Sequence, residues 1–596
     1  MCGIIGYTGK NRAVPYLIKG LEALEYRGYD SSGIGVNEGG EIGFCKCTGR
    51  VSALKGTLGR KSIDAVTGIG HTRWATHGRV STVNSHPHLS MNKLFAVVHN
   101  GIIENYEQIR KDLDHKGFSF LSDTDTEVIP NLLEQLYKGN LITAVNECVS
   151  HLEGSFAFAV LCKDYPDSII CVRRGNPLVV CQTQQGCFVS SDTTALSEYT
   201  DTVYKPEDNC PVLITPDGVE FFDSEGNTKN ETPHKINRLS SVTDKKGYRH
   251  FMLKEIMEQP TAVEATIRQL LEGEYSFIKN IYSFSRIHFI ACGSAYHVGL
   301  VGKYLFEKHT GISCECHIAS EFRYSDVPIK QGDLCIVISQ SGETADSLSA
   351  MRKAKQVGAF TLGIVNVPES SLACESDEVI LTKAGPEIAV ATTKAYSAQL
   401  SVIYYLCALL CKDNEKRERI INELSELPKL IERTIEMNKD RCALLSELFA
   451  LSRNAYFIGR NTDYPSAMEG ALKMKEISYI PCEAYAAGEL KHGTISLIQK
   501  GTLVVSVMLN EDVLPKTVSN VKEVASRGAK VICITKEKKT HLFKDEPYVL
   551  SVPDCDDMFN CSLGVIVLQL LSYHTAERLG RDIDKPRNLA KSVTVE

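Results

Sequence analysis

A cysteine follows the initiator methionine in the opening segment MCGIIGYTG. Removal of Met1 is expected because the side chain at position two is small, and Cys2 would then carry a thiol and a free α-amine on one carbon. A thiol titrates near ~8.5 and an α-amine near ~7.7–8.0, so the amine can accept the proton of the thiol. An N-terminal cysteine is therefore a nucleophile that carries its own base. The alternative is chance, since small side chains are common at position two.

A second segment with chemical potential, ISQSGETADSLSAMRKAK (338–355), reads as a strand, a polar turn and a helix. Its turn gathers hydroxyl, amide and backbone N–H groups from Ser339, Gln340, Ser341, Gly342 and Thr344. Helix N-termini bind anions, and open α/β sheets hold ligands beyond the ends of their strands. Helix capping is the alternative, but it would use only one or two of these residues. Because no GK[ST] sequence follows, the turn predicts a sugar-phosphate site rather than a nucleoside triphosphate site.

The composition is that of an ordinary globular protein of 596 residues, with 43% hydrophobic and 23% charged residues. At ~100–200 residues per domain, three or four domains are expected. The net charge of −7 gives no support for a nucleic-acid partner or a membrane surface. The sequence has no apolar run of ~18 residues and no signal-peptide pattern. The 21 cysteines lack zinc-site and CxxC spacing, which predicts reduced thiols and a cytoplasmic protein.

The predicted fold class is multidomain α/β. Short strands such as FAFAVLC alternate with Gly, Asn and Asp turns in the first part of the chain, as in layered β structure. Further along, apolar strands alternate with amphipathic helices, as in parallel sheets with βαβ crossovers. The predicted parts are a β-rich domain (2–235), a linker with a helical lead-in (236–279), a first α/β domain (280–412), a helical connector (413–450), a second α/β domain (451–585) and a C-terminal tail (586–596).

The second half of the chain contains an internal repeat. Residues 288–308 align with 456–476, and residues 333–359 align with 502–529. The two copies differ after the second strand, where the first reads SQSGET and the other reads MLNEDV. The sequence therefore predicts two copies of one doubly wound unit and a single phosphate site.

Longer motifs resemble two known families. The first part of the chain resembles class II glutamine amidotransferases. The motifs that carry this resemblance are CGIIGY (2–7), LEYRGYDSSG (24–33), GHTRWATHG (70–78), NSHPH (84–88), VVHNGIIEN (97–105) and DTDTEVI (123–129). The second part resembles the paired sugar-isomerase (SIS) domains of the glutamine–fructose-6-phosphate aminotransferase family. The motifs that carry this resemblance are CGSAYH (292–297), SQSGETADS (339–347), ATTKAYSAQL (391–400), ALKMKEISYI (471–480), EAYAAGELKHG (483–493) and RNLAKSVTVE (587–596).

The resemblance implies an αββα N-terminal-nucleophile domain followed by two doubly wound SIS domains. It also implies a reaction: D-fructose 6-phosphate and L-glutamine give D-glucosamine 6-phosphate and L-glutamate, the first step of hexosamine synthesis. The implied partners are these small substrates and a second copy of the chain, in a homodimer or larger homo-oligomer. No cofactor and no metal is implied.

The resemblance assigns roles in the glutaminase. Cys2 would attack the side-chain amide of glutamine, while the Asn100 side chain and the Gly101 backbone N–H would stabilise the oxyanion. The alternative for the sequence HNG is a plain hairpin turn, which Asn-Gly favours. Arg73 would bind the substrate carboxylate through a bidentate fork, and Asp125 would accept its ammonium.

Other residues of these motifs would complete the glutaminase. Thr76 and His77 would line the glutamine pocket. Trp74, the single tryptophan of the chain, would gate a tunnel that carries ammonia to the sugar site. His77 lies near His86 and His88 in the sequence, a spacing that could suggest a metal, but the resemblance implies none.

The resemblance also assigns the groups that act on the sugar. Lys591 would form a Schiff base with the C2 carbonyl, and Glu476 would move a proton between C2 and C1. Lys473 would assist proton traffic near Glu476. His492 would open the sugar ring from the neighbouring subunit, so that a monomer would lack a complete site.

Contacts to the sugar phosphate are also implied by resemblance. Val390, Thr393 and Ala590 would line the pocket beside the SQSGET turn. One departure is present, because family members often read CGTSY where this chain reads CGSAY. A hydroxyl is therefore missing at Ala295, and either Ser294 or a water is expected to take its place.

Three other interpretations stay open. A glutaminase could serve another acceptor, as in amidophosphoribosyltransferase or asparagine synthetase, but the pyrophosphate-sugar or ATP loop that these need is not found in the sequence. A sugar-phosphate sensor without activity would be expected to lose Cys2, Glu476 or Lys591, and all three are present. An active glutaminase with an inactive sugar site, through the change at Ala295, would need an assay to exclude it.

Overall fold

The computed structural model describes residues 2–59, 63–75, 77–236, 245–273, 275 and 284–594. These residues form two compact units. The first contains the described chain up to residue 236 together with residues 592–594, and the second contains residues 245–591. The linker predicted at 236–279 lies partly outside the described residues.

The first unit is mainly antiparallel β structure. Its strands are β1 (Gly3–Gly9), β2 (Ser31–Glu38), β3 (Glu41–Thr48), β4 (Thr67–Arg73), β5 (His88–Leu89), β6 (Phe95–Gly101), β7 (Phe156–Cys162), β8 (Tyr165–Arg174), β9 (Val179–Thr183), β10 (Gly186–Ser190), β11 (Thr202–Val203), β12 (Val212–Thr215), β13 (Gly218–Phe222), β14 (Thr228–Lys229) and β15 (His234–Lys235). Its α-helices are α1 (Ala13–Leu24), α2 (Val51–Leu58), α3 (Tyr106–His115), α4 (Val128–Leu136) and α5 (Leu141–His151).

The first unit has four layers. One sheet has the strand order β3-β2-β4-β1-β10-β9, and the other has the order β14-β13-β12-β8-β7-β6-β5. Small and branched side chains such as Ile69, Ala96 and Ala159 fill the space between the two sheets. Helices α1 and α2 cover the outer face of the first sheet, and α3, α4 and α5 cover that of the second. The predicted αββα architecture is confirmed.

The second unit alternates strands and helices. Its strands are β16 (Ile287–Ala291), β17 (Cys314–Ile318), β18 (Leu334–Ser339), β19 (Phe360–Val365), β20 (Glu378–Leu381), β21 (Ala455–Gly459), β22 (Cys482–Ala486), β23 (Leu503–Met508), β24 (Lys530–Lys536) and β25 (Tyr548–Val552). Its helices are α6 (Phe251–Met257), α7 (Gln259–Glu272), α8 (Gly293–Thr310), α9 (Ala319–Phe322), α10 (Ala345–Gln356), α11 (Ser371–Glu375), α12 (Lys394–Leu410), α13 (Asn414–Ala450), α14 (Asp463–Ser478), α15 (Leu514–Ala525) and α16 (Asn560–Arg578).

The two parallel sheets of this unit confirm the predicted repeat. Their strand orders are β17-β16-β18-β19-β20 and β22-β21-β23-β24-β25, so that each follows the doubly wound order 2-1-3-4-5. One continuous apolar core runs through the helices of both copies. In such sheets the ligand crevice lies where the order reverses, beyond the first and third strands. For the first copy this point lies beyond the ends of β16 and β18, where the SQSGET turn begins.

A buried ion pair joins the end of α1 to the segment after β10. The Arg27 guanidinium contacts the Asp192 carboxylate, and Tyr26 donates a hydrogen bond to the same carboxylate at 2.8 Å. Burial raises the pKa of Asp192, but Arg27 and the hydrogen bonds from Thr194 and Tyr26 outweigh burial and hold the pKa below its ordinary value. The pair therefore stabilises the folded unit when Asp192 is ionised.

We expect Arg27→Met to lower the free energy of unfolding of the first unit by ~3–5 kcal/mol at neutral pH, because it leaves Asp192 buried and unpaired. The ordinary carboxyl pKa is ~3.9, so this loss should shrink as the pH falls below that value and the carboxylate is protonated. Urea denaturation followed by Trp74 fluorescence measures both effects. Arg12→Met, which breaks an exposed pair with Asp64, should cost less than ~1 kcal/mol. Equal losses for the two variants would contradict the expectation.

Candidate active sites

The Cys2 thiol lies at the start of the central strand β1, beside the residue that follows β4. The Trp74 N–H donates to Sγ at 3.3 Å, and Sγ lies 3.5 Å from the Trp74 carbonyl oxygen. Burial raises the pKa of the Cys2 thiol, and the Trp74 N–H and the Arg73 guanidinium offset part of that rise. The thiol is thus held in a fixed position, and a base near it would be needed to ionise it at neutral pH.

Asn100 and Gly101 end strand β6 next to this thiol. The Asn100 amide donates to the Cys2 carbonyl oxygen at 3.1 Å, and its own oxygen lies 3.1 Å from a His71 ring nitrogen. Both residues pair in register with β7, so the hairpin-turn alternative for HNG is wrong. Gly101 has φ of +118°, and a Cβ there would lie 2.1 Å from the Ser155 carbonyl oxygen. The backbone at this point therefore requires glycine.

A small pocket opens beside Cys2. It is lined by Cys2, Arg73, Trp74, His77, His86, His99, Gly101, Thr124, Asp125 and Thr126. Arg73 Nη2 donates to the carbonyl oxygens of His77 and of Gly78, the latter at 3.1 Å, whereas its buried Nη1 has no hydrogen-bond partner among the described residues. Asp125 is buried and accepts the Ile103 N–H at 2.9 Å. The pocket thus offers a cation and a carboxylate to one small zwitterion.

His71, His86 and His88 are buried beside this pocket. The rings of His71 and His86 stack with centroids 4.0 Å apart, and His88 lies edge-on to His86 at 4.7 Å. Burial lowers the pKa of His71 to about 3 and holds the pKa of His86 and His88 well below the ordinary value. Where the structure is described, His77, His86 and His88 do not share a position for a metal ion. Thr76 lies outside the described residues.

The SQSGET turn begins at Ser339, the last residue of β18. The Ser339 hydroxyl lies 3.0 Å from the Thr344 hydroxyl and accepts the Gly342 N–H at 3.1 Å. Thr344 stands at the N-cap of α10, but its side chain makes no capping hydrogen bond, so capping does not explain the turn. Ser341 accepts the Glu343 N–H at 3.2 Å. The turn presents hydroxyl and N–H groups at the N-terminus of α10, where an anion is favoured.

In the second copy, the backbone N–H groups at the corresponding position are already bonded to a side chain of the protein. The buried Asp463 carboxylate accepts the backbone N–H groups of Leu509 and Asn510, each at 3.0 Å, directly after β23. In the repeat alignment Asp463 corresponds to Ala295 of the first copy. An internal carboxylate thus takes the N–H groups that could bind an anion in the second copy. This finding supports the prediction of a single phosphate site.

Lys591 lies close to Glu387 and Ala389, in the segment that precedes helix α12. Its ammonium contacts the buried Glu387 carboxylate and donates to the Ala389 carbonyl oxygen at 2.8 Å, and its side chain is 5% exposed. Burial raises the pKa of Glu387, but Lys591 and the hydrogen bond from Thr392 lower it by more. Nearby, burial and the Glu387 charge raise the pKa of Glu255. The sequence indicates no partner for Lys591, and neither glutamate is part of the predicted site.

A buried network surrounds Lys473 on helix α14. Its ammonium lies 2.5 Å from the Glu476 carboxylate and 3.5 Å from that of Glu469. Ser294 donates to Glu469 at 2.9 Å, and a His297 ring nitrogen lies 2.7 Å from the other Glu469 oxygen. The i, i+4 spacing of Glu469 and Lys473 could have indicated this pair. The Ser294 hydroxyl proton is thus directed to Glu469, and its sugar contact remains a prediction.

The remaining predicted residues of the second unit are Val390 and Ala590, which flank the contact between Ala389 and Lys591, and His492. Val390 is buried and its N–H donates to the Asp584 carbonyl oxygen at 3.0 Å. Ala590 is half-buried. His492 ends a short 3₁₀ helix and is exposed, and in the described part of the chain no hydrogen bond joins it to Lys591 or Glu476.

Comparison with known proteins matches both units. The profile of the glutamine amidotransferase domain matches residues 71–198, and that of the SIS domain matches residues 280–409 and 448–576. Relatives named glutamine–fructose-6-phosphate aminotransferase (isomerizing) from Clostridium acetobutylicum and Methanosarcina mazei are 46% and 42% identical, each over 100% of both chains. A solved C-terminal domain of glucosamine-fructose-6-phosphate aminotransferase from Francisella tularensis is 40% identical, covering 58% of this chain and 100% of that chain with a TM-score of 0.56.

The four-layer unit with its Cys2 pocket, followed by paired parallel sheets, defines a glutamine amidotransferase joined to a sugar-isomerase module. The full-length matches make the assignment specific. The chain belongs to the glutamine–fructose-6-phosphate aminotransferase (isomerizing) family. In the described residues, no helix is both long and apolar enough to cross a membrane.

Proposed function

We propose that the protein transfers the amide nitrogen of L-glutamine to D-fructose 6-phosphate, which gives D-glucosamine 6-phosphate and L-glutamate. The observation that carries this proposal is the pairing of two site types in one chain. One is a thiol beside a pocket that contains a cation and a carboxylate, and the other is a turn rich in hydroxyl and N–H groups in the unit that also contains the buried lysine Lys591. Full-length relatives that carry the name of this activity support the same conclusion.

In the glutamine site, Cys2 is the nucleophile. Once Met1 is removed, the α-amine of Cys2 accepts the thiol proton, and the thiolate attacks the side-chain amide carbon. The Asn100 amide and the Gly101 N–H stabilise the oxyanion, and such a donor is worth ~2.7–4 kcal/mol. Ammonia leaves, and water then releases glutamate from the thioester. Arg73 and Asp125 hold the two charged ends of the substrate.

In the sugar site, the SQSGET turn binds the phosphate and Lys591 acts on the carbonyl. The lysine amine condenses with C2 of fructose 6-phosphate and releases water, and ammonia then replaces the lysine at C2. Glu476, held by Lys473, takes a proton from C1 and returns a proton at C2, which leaves an aldehyde at C1 and an amine at C2. His492 opens the sugar ring.

Product analysis tests the acceptor. The full-length protein is incubated with glutamine and fructose 6-phosphate, and the phosphorylated product is identified by NMR against a glucosamine 6-phosphate standard. The expected result is that standard, with no amino sugar when the ketose phosphate is omitted. Amination of another sugar phosphate in preference to fructose 6-phosphate would show that the acceptor is wrongly assigned.

Gly342→Ala tests the role of the SQSGET turn. Gly342 has φ of +66°, and a Cβ there would lie 2.0 Å from the Ser370 hydroxyl oxygen. Alanine is strained in this conformation and its Cβ must push the turn away from Ser370. The groups proposed to bind the phosphate should therefore move, and the KM for fructose 6-phosphate should rise at least ~10-fold. Glutamine hydrolysis should be unchanged. Steady-state kinetics with each substrate varied measures both, and an unchanged KM for the sugar would exclude the turn from binding.

We also propose that the protein is a homo-oligomer in which His492 serves a neighbouring copy. His492→Ala and Lys591→Arg should each be inactive in synthesis when made alone. When they are co-expressed, mixed dimers would hold one intact site, and about a quarter of the wild-type sites should return in random two-fold pairing. The assay is amino-sugar formation by the purified mixture. No recovery from a mixture shown to contain mixed oligomers would place His492 in the site of its own chain.

A further inference from the structure

A second cluster of chemically active side chains lies on the first parallel sheet. His288 is on β16, and Glu315 and His317 are on the neighbouring parallel strand β17. His288 pairs in register with Glu315, and Ile290 pairs with His317. Because side chains alternate along a strand, His288, Glu315 and His317 share one face of the sheet. None of these residues has a role in the reaction proposed above.

The spacing of the three side chains suits a small cation. His288 Nδ1 lies 3.1 Å from His317 Nε2, and Glu315 Oε2 lies 4.0 Å from the first nitrogen and 3.5 Å from the second. Three atoms with these separations can all lie about 2.1 Å from one point, which is the length of Zn–N and Zn–O bonds. The three donor atoms therefore already have the separations of a coordination triangle.

The surroundings hold two of these donors in place. The other ring nitrogen of His288 is buried, makes no hydrogen bond to the described residues and lies 3.6 Å from the Asp333 carboxylate. A small approach would give the hydrogen bond by which a carboxylate orients a metal-binding imidazole. Asp333 is fixed in turn by the Ser285 hydroxyl at 2.8 Å. Arg286 lies 3.3 Å from Oε1 of Glu315, and the other oxygen, Oε2, faces the His288 and His317 imidazoles.

The cluster is also accessible. His288 is fully buried, whereas the side chains of His317 and Glu315 are 16% and 40% exposed. A metal could thus enter from solvent and keep a water as a fourth ligand. Two imidazoles and one carboxylate favour Zn²⁺ and its neighbours in the first transition series over Mg²⁺ or Ca²⁺, which prefer oxygen ligands.

We propose that His288, Glu315 and His317 bind one divalent transition-metal ion of the Zn²⁺ type, which ties strand β17 to strand β16. The site is separate from both reaction centres. Since β16 leads directly to Ser294 and the sugar crevice, the metal would stabilise the strand that supports this crevice.

Titration with Co²⁺ and competition with Zn²⁺ test the proposal on chelator-treated full-length protein. We expect one saturable site with visible d–d bands, displaced by Zn²⁺. His317→Ala should weaken binding by more than the ~10–100-fold that loss of an outer-shell partner costs. Glu315→Gln, at a half-exposed position, should weaken binding as well without disturbing the fold. Zn²⁺ should raise the melting temperature of the wild type and not that of His317→Ala.

His115→Ala is the matched control, because His115 is an exposed imidazole at the end of α3. It should bind Co²⁺ as the wild type does. Equal affinity in the wild type, His317→Ala and Glu315→Gln would mean that the metal binds adventitiously elsewhere and would overturn the proposal. The absence of saturable binding to the wild type at millimolar metal would overturn it too.

Discussion

Cys2→Ala should reduce glutamine hydrolysis and amino-sugar formation together by at least ~10³-fold. Loss of a catalytic nucleophile removes the covalent route, and only the oxyanion donors and substrate binding remain. Glutamine should still bind, because Arg73 and Asp125, which are proposed to hold its charged groups, are unchanged. Rates of glutamate and glucosamine 6-phosphate formation measure the effect, and calorimetry measures the binding of each substrate.

The sugar site supplies the internal control for this variant. Fructose 6-phosphate should bind to Cys2→Ala with wild-type affinity, because the SQSGET turn and Lys591 are untouched. Cys374→Ala removes an exposed thiol instead and should leave both rates unchanged. If Cys2→Ala retained full synthesis from glutamine, the nucleophile would have to be sought elsewhere.

Lys591→Arg should abolish synthesis by a similar factor, at least ~10³-fold, while glutamine hydrolysis continues. The guanidinium preserves the positive charge beside the buried Glu387 carboxylate, so the folded state does not acquire an unpaired buried charge. It stays protonated, however, and cannot condense with a carbonyl. The loss should therefore appear in kcat for the amino sugar and not in protein stability.

Borohydride trapping separates this chemical role from a structural one. Reduction in the presence of fructose 6-phosphate should fix the sugar phosphate on Lys591 of the wild type, as a mass increase on the C-terminal peptide. Lys591→Arg should give no adduct, and Lys500→Arg, at an exposed lysine, should be trapped like the wild type. An adduct of equal yield on another lysine in Lys591→Arg would reassign the Schiff base.

Features that are encoded by several characteristic residues close together in the sequence, or by a repeated pattern, could be predicted from the sequence. The SQSGET turn packs hydroxyl, amide and glycine residues between a strand and a helix, and the structure places it at the reversal point of a parallel sheet. The repeat at an offset of 168 residues predicts two sheets, and both have the same strand order. The αββα unit follows from the resemblance, since its strands and turns alone do not define how two sheets face each other.

Features that depend on burial could not be predicted in this way. A lysine near a chain terminus is ordinarily solvated, but Lys591 is almost fully buried against Glu387. No motif in the sequence marks Glu255, Glu387 or Glu469. Only the fold brings these carboxylates to buried positions beside lysines or beside one another. The Asn100-Gly101 pair was open to two interpretations, and the register with β7 decides against the turn.

The second crevice shows how one residue can change a repeated site. The MLNEDV sequence predicts that the second copy lacks a phosphate turn, but it does not show what replaces the ligand. In the structure Asp463 fills that place with its own carboxylate, whereas Ala295 at the matching position has no polar group. The missing hydroxyl at Ala295, a departure from the family pattern, is therefore compatible with an open first crevice.

The central claim is that the nitrogen of glutamine reaches the sugar within one protein. The most direct measurement supplies glutamine labelled with ¹⁵N at the side-chain amide, fructose 6-phosphate and an excess of unlabelled ammonium, and then quantifies both products by mass spectrometry. The expected result is glucosamine 6-phosphate that carries ¹⁵N, formed in equal amount to glutamate. Glutamate without the amino sugar, or an amino sugar that carries mainly unlabelled nitrogen, would contradict the claim.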